Sequence, residues 1–452
     1  MNWKKAMVAV PLSVGLLVPT FQVASAEDHG NHSHMSSVST PASDLRASLD
    51  ALLSEHAFLA VVAMQKGIDG AEDFDQAAGA LNANTDDLSA AVASVYGEEG
   101  GAAFKEIWSS HIGYFVDYVT ATAEDNEEGR QQALAELDEY TVEQAAFLDT
   151  ATESRLKASE LEAGLKMHVE QLVWAFDNYV AGDFDKAYDN VRHAIEHMYE
   201  PGKGLSWAIT DQFPDKFENT SVDTPAADLR ADLNHLFAEH AALAVLAMQK
   251  GIDGAGDFEN AAGALNENTA DLSAAVGSVY GEEGGAAFEE IWSSHIGYFV
   301  DYVVATGEEN EEGREAAIAE LEEYKVEQAA FLDTATEGRL KAADLEEGLQ
   351  MHIDELLLAF NSYNEADYET TYNTIRESYA HMFGVGEMMS GAIVDQFPEN
   401  FEKDMPTDMP AAGMGGTADN GMNAAIAWTV AGLISAIVLT QVIAYRRKAT
   451  QE

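Results

Sequence analysis

The sequence predicts an all-α protein of two tandem homologous helical-bundle domains, with an export signal before them and a membrane helix after them. Three observations carry that expectation. Shifted by 184 positions, Pro41 to Phe217 aligns with Pro225 to Phe401 without a gap, and 118 of the 177 paired positions are identical. Hydrophobic residues make up 47% of the chain and prolines number only nine, which argues against general disorder and leaves room for long helices. Within each repeat, apolar residues recur three and four positions apart, the spacing of one helix face.

Taken in order, residues 1–26 read as a signal peptide. Lys4 and Lys5 precede an apolar stretch from Ala6 to Val18, and Ala24-Ser25-Ala26 supplies an A-x-A cleavage site. A histidine-containing tail (27–40) leads to repeat one (41–218), a linker (219–224), repeat two (225–402) and a Met- and Gly-rich stalk (403–422). Residues 423–445 carry no charge and are long enough to cross a bilayer, and Arg446, Arg447 and Lys448 follow in a short tail (446–452). The positive-inside rule makes this a single-pass type I cell-membrane protein with an extracytoplasmic ectodomain.

Composition narrows the function. Asp and Glu number 79 against 24 Lys and Arg, a net charge of -55, so a nucleic-acid partner is excluded on electrostatic grounds. Cysteine is absent, which removes disulfides, Fe–S clusters, blue copper sites and thiol catalysis. No phosphate loop, nucleophile elbow, HExxH or carboxylate pair is legible, so no catalytic residue is assigned and the chain reads as a binding protein before an enzyme. No segment identifies a protein partner.

Each repeat contains a weaker internal repeat. His56, His111 and His168 each open a helical phrase that ends at an Asp-containing break. After each break a second helical stretch begins, with Asp73, Asn126 and Asp183 suited to cap its first turn. The expectation is three helical hairpins, about six helices, closing into a bundle.

His56, His111 and His168 fall within the apolar stripes of their helices, and His197 lies at the edge of its own. His240, His295, His352 and His381 are their counterparts in repeat two. One histidine on an apolar face is ordinarily a core residue bonded to a backbone carbonyl. Four from four helices point to a shared partner, because burying several imidazoles is costly unless each is satisfied.

Copper, haem between two facing histidines, and zinc held by four imidazoles all satisfy that demand. Two segments outside the repeats favour copper. Cleavage after Ala26 would place His29 third in the mature chain, where an amine, two amides and an imidazole form a square-planar Cu(II) site, with His32 and His34 close behind. The stalk presents Met405, Met409, Met414 and Met422, soft thioethers suited to Cu(I). Copper sequestration or sensing is therefore the leading reading. A haem or redox bundle and a metal-free adhesion scaffold are the alternatives.

The phrases TPASDLRASLDALLSEHAFLAV and SVYGEEGGAAFKEIWSSHIGYFVDYV resemble a family of secreted helical-repeat proteins of Gram-positive bacteria often labelled copper amine oxidase. The resemblance covers both repeats and implies a helical unit and an association with copper. Copper amine oxidases make their quinone from the tyrosine of an Asn-Tyr-Asp/Glu motif. The nearest text here is Asn178-Tyr179-Val180, which becomes Ser362-Tyr363-Asn364 in repeat two, so copper binding is expected without amine oxidation.

Overall fold

A computed structural model describes residues 38–401, which are all-α with no strand among the described residues. The signal peptide, the histidine tail (His29, His32, His34), the methionine stalk (Met405, Met409, Met414, Met422) and the membrane helix lie outside the described residues. The first half contains α1 (Pro41–Asp69), α2 (Phe74–Tyr96), α3 (Glu98–Ala123), α4 (Glu127–Ala151), α5 (Ala158–Ala181), α6 (Phe184–His197) and α7 (Tyr199–Gln212). The second contains α8 (Pro225–Ile252), α9 (Phe258–Tyr280), α10 (Glu282–Gly307), α11 (Glu311–Ala335), α12 (Ala342–Asn364) and α13 (Tyr368–Gln396).

Local chemistry sets the helix ends. Pro41 opens α1 behind a reciprocal capping box between Thr40 and Ser43, and Gly70 closes it with a left-handed φ of 62°. Asn126 caps α4 by accepting from the Gly129 amide at 3.0 Å. Asp73 and Asp183 occupy N-cap positions, but neither side chain makes the capping bond. Asp73 is drawn instead to Lys66 at 2.9 Å and the Tyr372 hydroxyl at 2.7 Å.

The expected sixth helix of the first half is two helices. Pro201 lacks an amide hydrogen, and its ring conflicts with the carbonyl of His197, so the chain breaks into α6 and α7 there. Valine stands at the corresponding Val385, and α13 runs unbroken through 29 residues.

α1 and α8 are the two central helices. Ala57 to Met64 is buried on every face, which a helix inside a core requires and a surface helix forbids. α1 is the one described helix long and apolar enough to cross a membrane, and its burial accounts for that composition. It packs on α2, α3, α5, α6 and α7 of its own half and on α8 and α13 of the other, while α8 packs likewise on α9, α10, α12 and α13 and reaches α1 and α6.

The halves meet through paired contacts related by the same 184-residue shift. Arg46 binds Asp228 at 2.6 Å and Arg230 binds Asp44 at 2.6 Å. Arg376 grips both carboxylate oxygens of buried Glu55 at 3.0 Å, and Arg192 grips those of Glu239 at 3.2 and 3.1 Å. The Lys66 ammonium reaches Tyr363 at 3.0 Å and that of Lys250 reaches Tyr179 at 2.9 Å. Each residue type pairs with the equivalent of its partner's partner, the arrangement of a two-fold dimer carried within one chain.

Candidate metal centre

Three helices of each half aim one histidine at a common point. His56 from the middle of α1, His111 from α3 and His168 from α5 bring one ring nitrogen each to within 4.8 Å of one another, and His240, His295 and His352 do the same from α8, α10 and α12. These two buried triads could hold metal ions. All six imidazoles are at most 4% exposed.

Within each triad two nitrogens are closer still. His111 Nε2 lies 3.2 Å from His56 Nε2, and His295 Nε2 lies 3.3 Å from His240 Nε2. Two nitrogens bound to one ion at about 2.0–2.1 Å stand roughly 3.3 Å apart at a tetrahedral angle, so this spacing suits two ligands of a single ion. In the metal-free protein the pair shares one hydrogen bond. The third histidine has nothing: both ring nitrogens of His168, and both of His352, are buried without a partner. Two orphaned nitrogens on one buried ring are costly, and a metal bound to one of them would remove that nitrogen's share of the cost.

The surrounding rings hold the histidines in place. Trp108 lies 4.8 Å from both His56 and His111, and Tyr140 of α4 stacks on His111 at 4.5 Å. Their counterparts give 4.9 and 4.8 Å for Trp292 and 4.6 Å for Tyr324. His295 Nδ1 donates to the Trp292 carbonyl three residues back, which fixes the tautomer and leaves Nε2 with its lone pair turned to the triad. The Trp108 carbonyl sits similarly and strengthens proton affinity at His111, although His111 Nδ1 makes no well-aligned hydrogen bond.

Electrostatics favour neutral rings. Burial, with the neighbouring imidazoles adding to it, pushes His56, His168, His240 and His352 well below the usual histidine range. Burial takes His111 down to about 3 and His295 to about 4, each partly offset by its tryptophan carbonyl. A neutral imidazole is the form that ligates.

The fourth histidine of each half does not join the triad. His197 Nε2 is spent on the Gly164 carbonyl at 3.0 Å, and His381 Nδ1 meets the Glu355 carboxylate at 3.0 Å. His197 ends α6 where Pro201 breaks the chain, and it is half-buried at the edge of its stripe. The triad is thus a three-nitrogen set, unlike the closed four-imidazole site expected of structural zinc. Haem fits poorly, because two nitrogens at hydrogen-bond distance leave no slot for a porphyrin between them.

Residues beyond the histidines complete the site. The Trp108 indole nitrogen, the Tyr140 hydroxyl and both amide atoms of Gln144 are buried without partners, as are the Trp292 indole nitrogen and both amide atoms of Gln328. The phrases Tyr140-Thr-Val-Glu-Gln144 and Tyr324-Lys-Val-Glu-Gln328 carry the same Tyr and Gln four residues apart, a pairing that places both on one helix face. No family model, no curated protein and no solved structure matches the chain.

Proposed function

We propose that the protein is a membrane-anchored, extracytoplasmic copper-binding protein that sequesters or senses the metal, with one ion in each histidine triad. The observation that carries this reading is the His168 ring, both nitrogens orphaned, facing a His56–His111 pair already at ligand spacing. The donor set supports Cu(I). Three neutral imidazoles with no carboxylate among them supply no negative charge to balance an ion. The cost of burying an ion grows with the square of its charge, so a monovalent ion pays about a quarter of the penalty of Zn(II). Imidazole suits copper and zinc alike, and the charge tips the balance toward copper.

The segments outside the described residues give this reading a route. His29, His32 and His34 would take Cu(II) near the N-terminus, Met405, Met409, Met414 and Met422 would hand on Cu(I) near the membrane, and the triads would retain it. The test is elemental analysis of full-length protein extracted in detergent, after washing with a soluble Cu(I) chelator. Two copper equivalents per chain are expected, falling to one when His56, His111 and His168 are replaced by Asn, and to none when the second triad follows. Copper retained by the six-fold variant at the wild-type level would refute the assignment.

A further inference from the structure

The first half contains a cavity of about 420 Å³ that runs inward from an exposed rim at Asp87 and Ala90 to the buried Trp108, Gln144 and His168. Its walls are overwhelmingly apolar, supplied largely by leucines and valines of α1, α2, α5 and α7. Small-molecule sites span about 300–1,000 Å³ and combine such walls with a few polar groups that fix orientation. The polar groups at this inner end are unusual because they are unspent. Gln144 is 0% exposed with both its amide nitrogen and its carbonyl oxygen unpartnered, and the Trp108 indole nitrogen, 3% exposed, is unpartnered too. The Gln144 amide and the Trp108 indole N–H, with the unpartnered His168 ring beside them, form the polar end of an apolar shaft.

We propose that this cavity binds an uncharged amphiphile, an apolar chain or ring system ending in a single hydroxyl or carbonyl, with that head group hydrogen-bonded by Gln144 and Trp108. Charge excludes the anionic relatives of such a molecule. No lysine or arginine lines the cavity, Asp87 stands at its rim, and the whole chain carries -55. A carboxylate would enter without a counter-ion and lose its water. Asp87 offers little to a cation either, since it is already bound by Arg376 at 2.7 Å.

The second half carries different side chains at two of the corresponding wall positions. Leu53, a wall residue, is replaced there by Phe237, whose ring lies 6.0 Å from Trp292 and is buried. Leu205 is likewise replaced by Met389, also buried. Phenylalanine is bulkier than leucine, and the Phe237 ring lies against the tryptophan that corresponds to the cavity's inner end. The residues at the polar end, Gln144 and Trp108, have the same counterparts in the second half, Gln328 and Trp292, while the wall residues Leu53 and Leu205 differ. His168 of the first triad lines the same inner end, so the cavity borders the proposed copper site, although the head-group contacts assigned here are Gln144 and Trp108.

The test uses the full-length protein in detergent, titrated with prodan, a neutral naphthyl ketone whose emission shifts on leaving water and which Trp108 can sensitise. One saturable site per chain is expected. Leu53→Phe, a substitution whose outcome the second half already tolerates, should abolish saturable binding while leaving the helical content and the copper count unchanged. Gln144→Leu should weaken binding about five-fold or more, near the loss of one hydrogen bond at about 1 kcal/mol. 1-Dodecanol should displace prodan, and laurate at the same concentration at pH 8 should do so at least ten-fold less well. Absence of saturable binding in the wild type, undiminished binding by Leu53→Phe, or equal displacement by laurate would each overturn the proposal. Copper stoichiometry measured on the same samples reports separately on the triads, so loss of one reading leaves the other standing.

Discussion

The two halves agree at the triads and differ around them. Corresponding ring distances among His56, His111 and His168 and among His240, His295 and His352 differ by 0.1 Å at most, at 5.2, 5.7 and 6.3 Å against 5.3, 5.8 and 6.4 Å. A few residues away, Pro201 breaks a helix that Val385 continues, Leu53 lines a cavity where the second half has Phe237, and Asp50 is buried where Asn234 stands. The three-histidine geometry is thus the same in both halves although buried neighbours such as Asp50 and Leu53 differ.

The largest predicted effect tests whether the rings are held neutral. A histidine whose folded pKa is depressed binds fewer protons folded than unfolded, so its contribution is intact above the ordinary value near 6.5 and is lost as pH falls toward the folded value. For His111 and His295 that window extends down to about 3 and about 4. Each histidine costs about 1.4 kcal/mol per pH unit inside it, so His111 and His295 together should cost metal-free protein about 4 kcal/mol between pH 7 and 5, with the other four acting in the same direction. Urea unfolding across that range checks this, and a six-fold His→Asn variant should show a much flatter slope.

Next in size is the contact between halves. Arg376→Ala leaves the Glu55 carboxylate, 5% exposed, without its bidentate partner, and should cost about 3 kcal/mol. Arg192→Ala should cost a similar amount through Glu239, if the two-fold relation governs energetics as well as geometry. Denaturant midpoints for the two variants and their double mutant decide the matter, and a loss confined to one of them would break the comparison.

The Asp50/Asn234 difference sharpens it. Burial raises Asp50 to about 8, opposed by Arg46, Lys203 and Arg230, and neither carboxylate oxygen has a hydrogen-bond partner. Because its folded pKa is raised, the group's stabilising contribution is present below its ordinary 3.8 and is lost as pH climbs through about 8. Asp50→Asn, which gives the first half the residue of the second, should raise stability by about 1–3 kcal/mol at pH 8 and by progressively less toward pH 4. Gly202 must stay small for either residue, since a Cβ there would sit 1.9 Å from Asp50 Oδ1. The smallest effect concerns the cavity: Leu53→Phe should stabilise ligand-free protein by about 1 kcal/mol, read as a rise in melting temperature.

Much of this was legible in the sequence. Helical periodicity identified an all-α chain and put His56, His111 and His168 on apolar faces, and all three are buried. Periodicity ranks faces on one helix, however, and cannot say where helices cross. That is why His197, at the edge of its stripe, was grouped with the others although its nitrogen belongs to the Gly164 carbonyl. The partner of Glu55 lies 321 residues away, beyond any local pattern. Gln144 and Tyr140 read as ordinary residues of a charged helix, and their roles emerge only when α4 is laid against α3.

We propose that each triad, which could hold a metal ion, binds copper through three nitrogens. X-ray absorption at the copper edge, on full-length protein loaded with two equivalents of Cu(I), tests it most directly. Three nitrogen scatterers at about 2.0 Å are expected, with the outer-shell signature of imidazole and no sulfur. A dominant sulfur shell would place the copper on methionines elsewhere in the chain, and the triads would then have to be read as hydrogen-bonded core histidines.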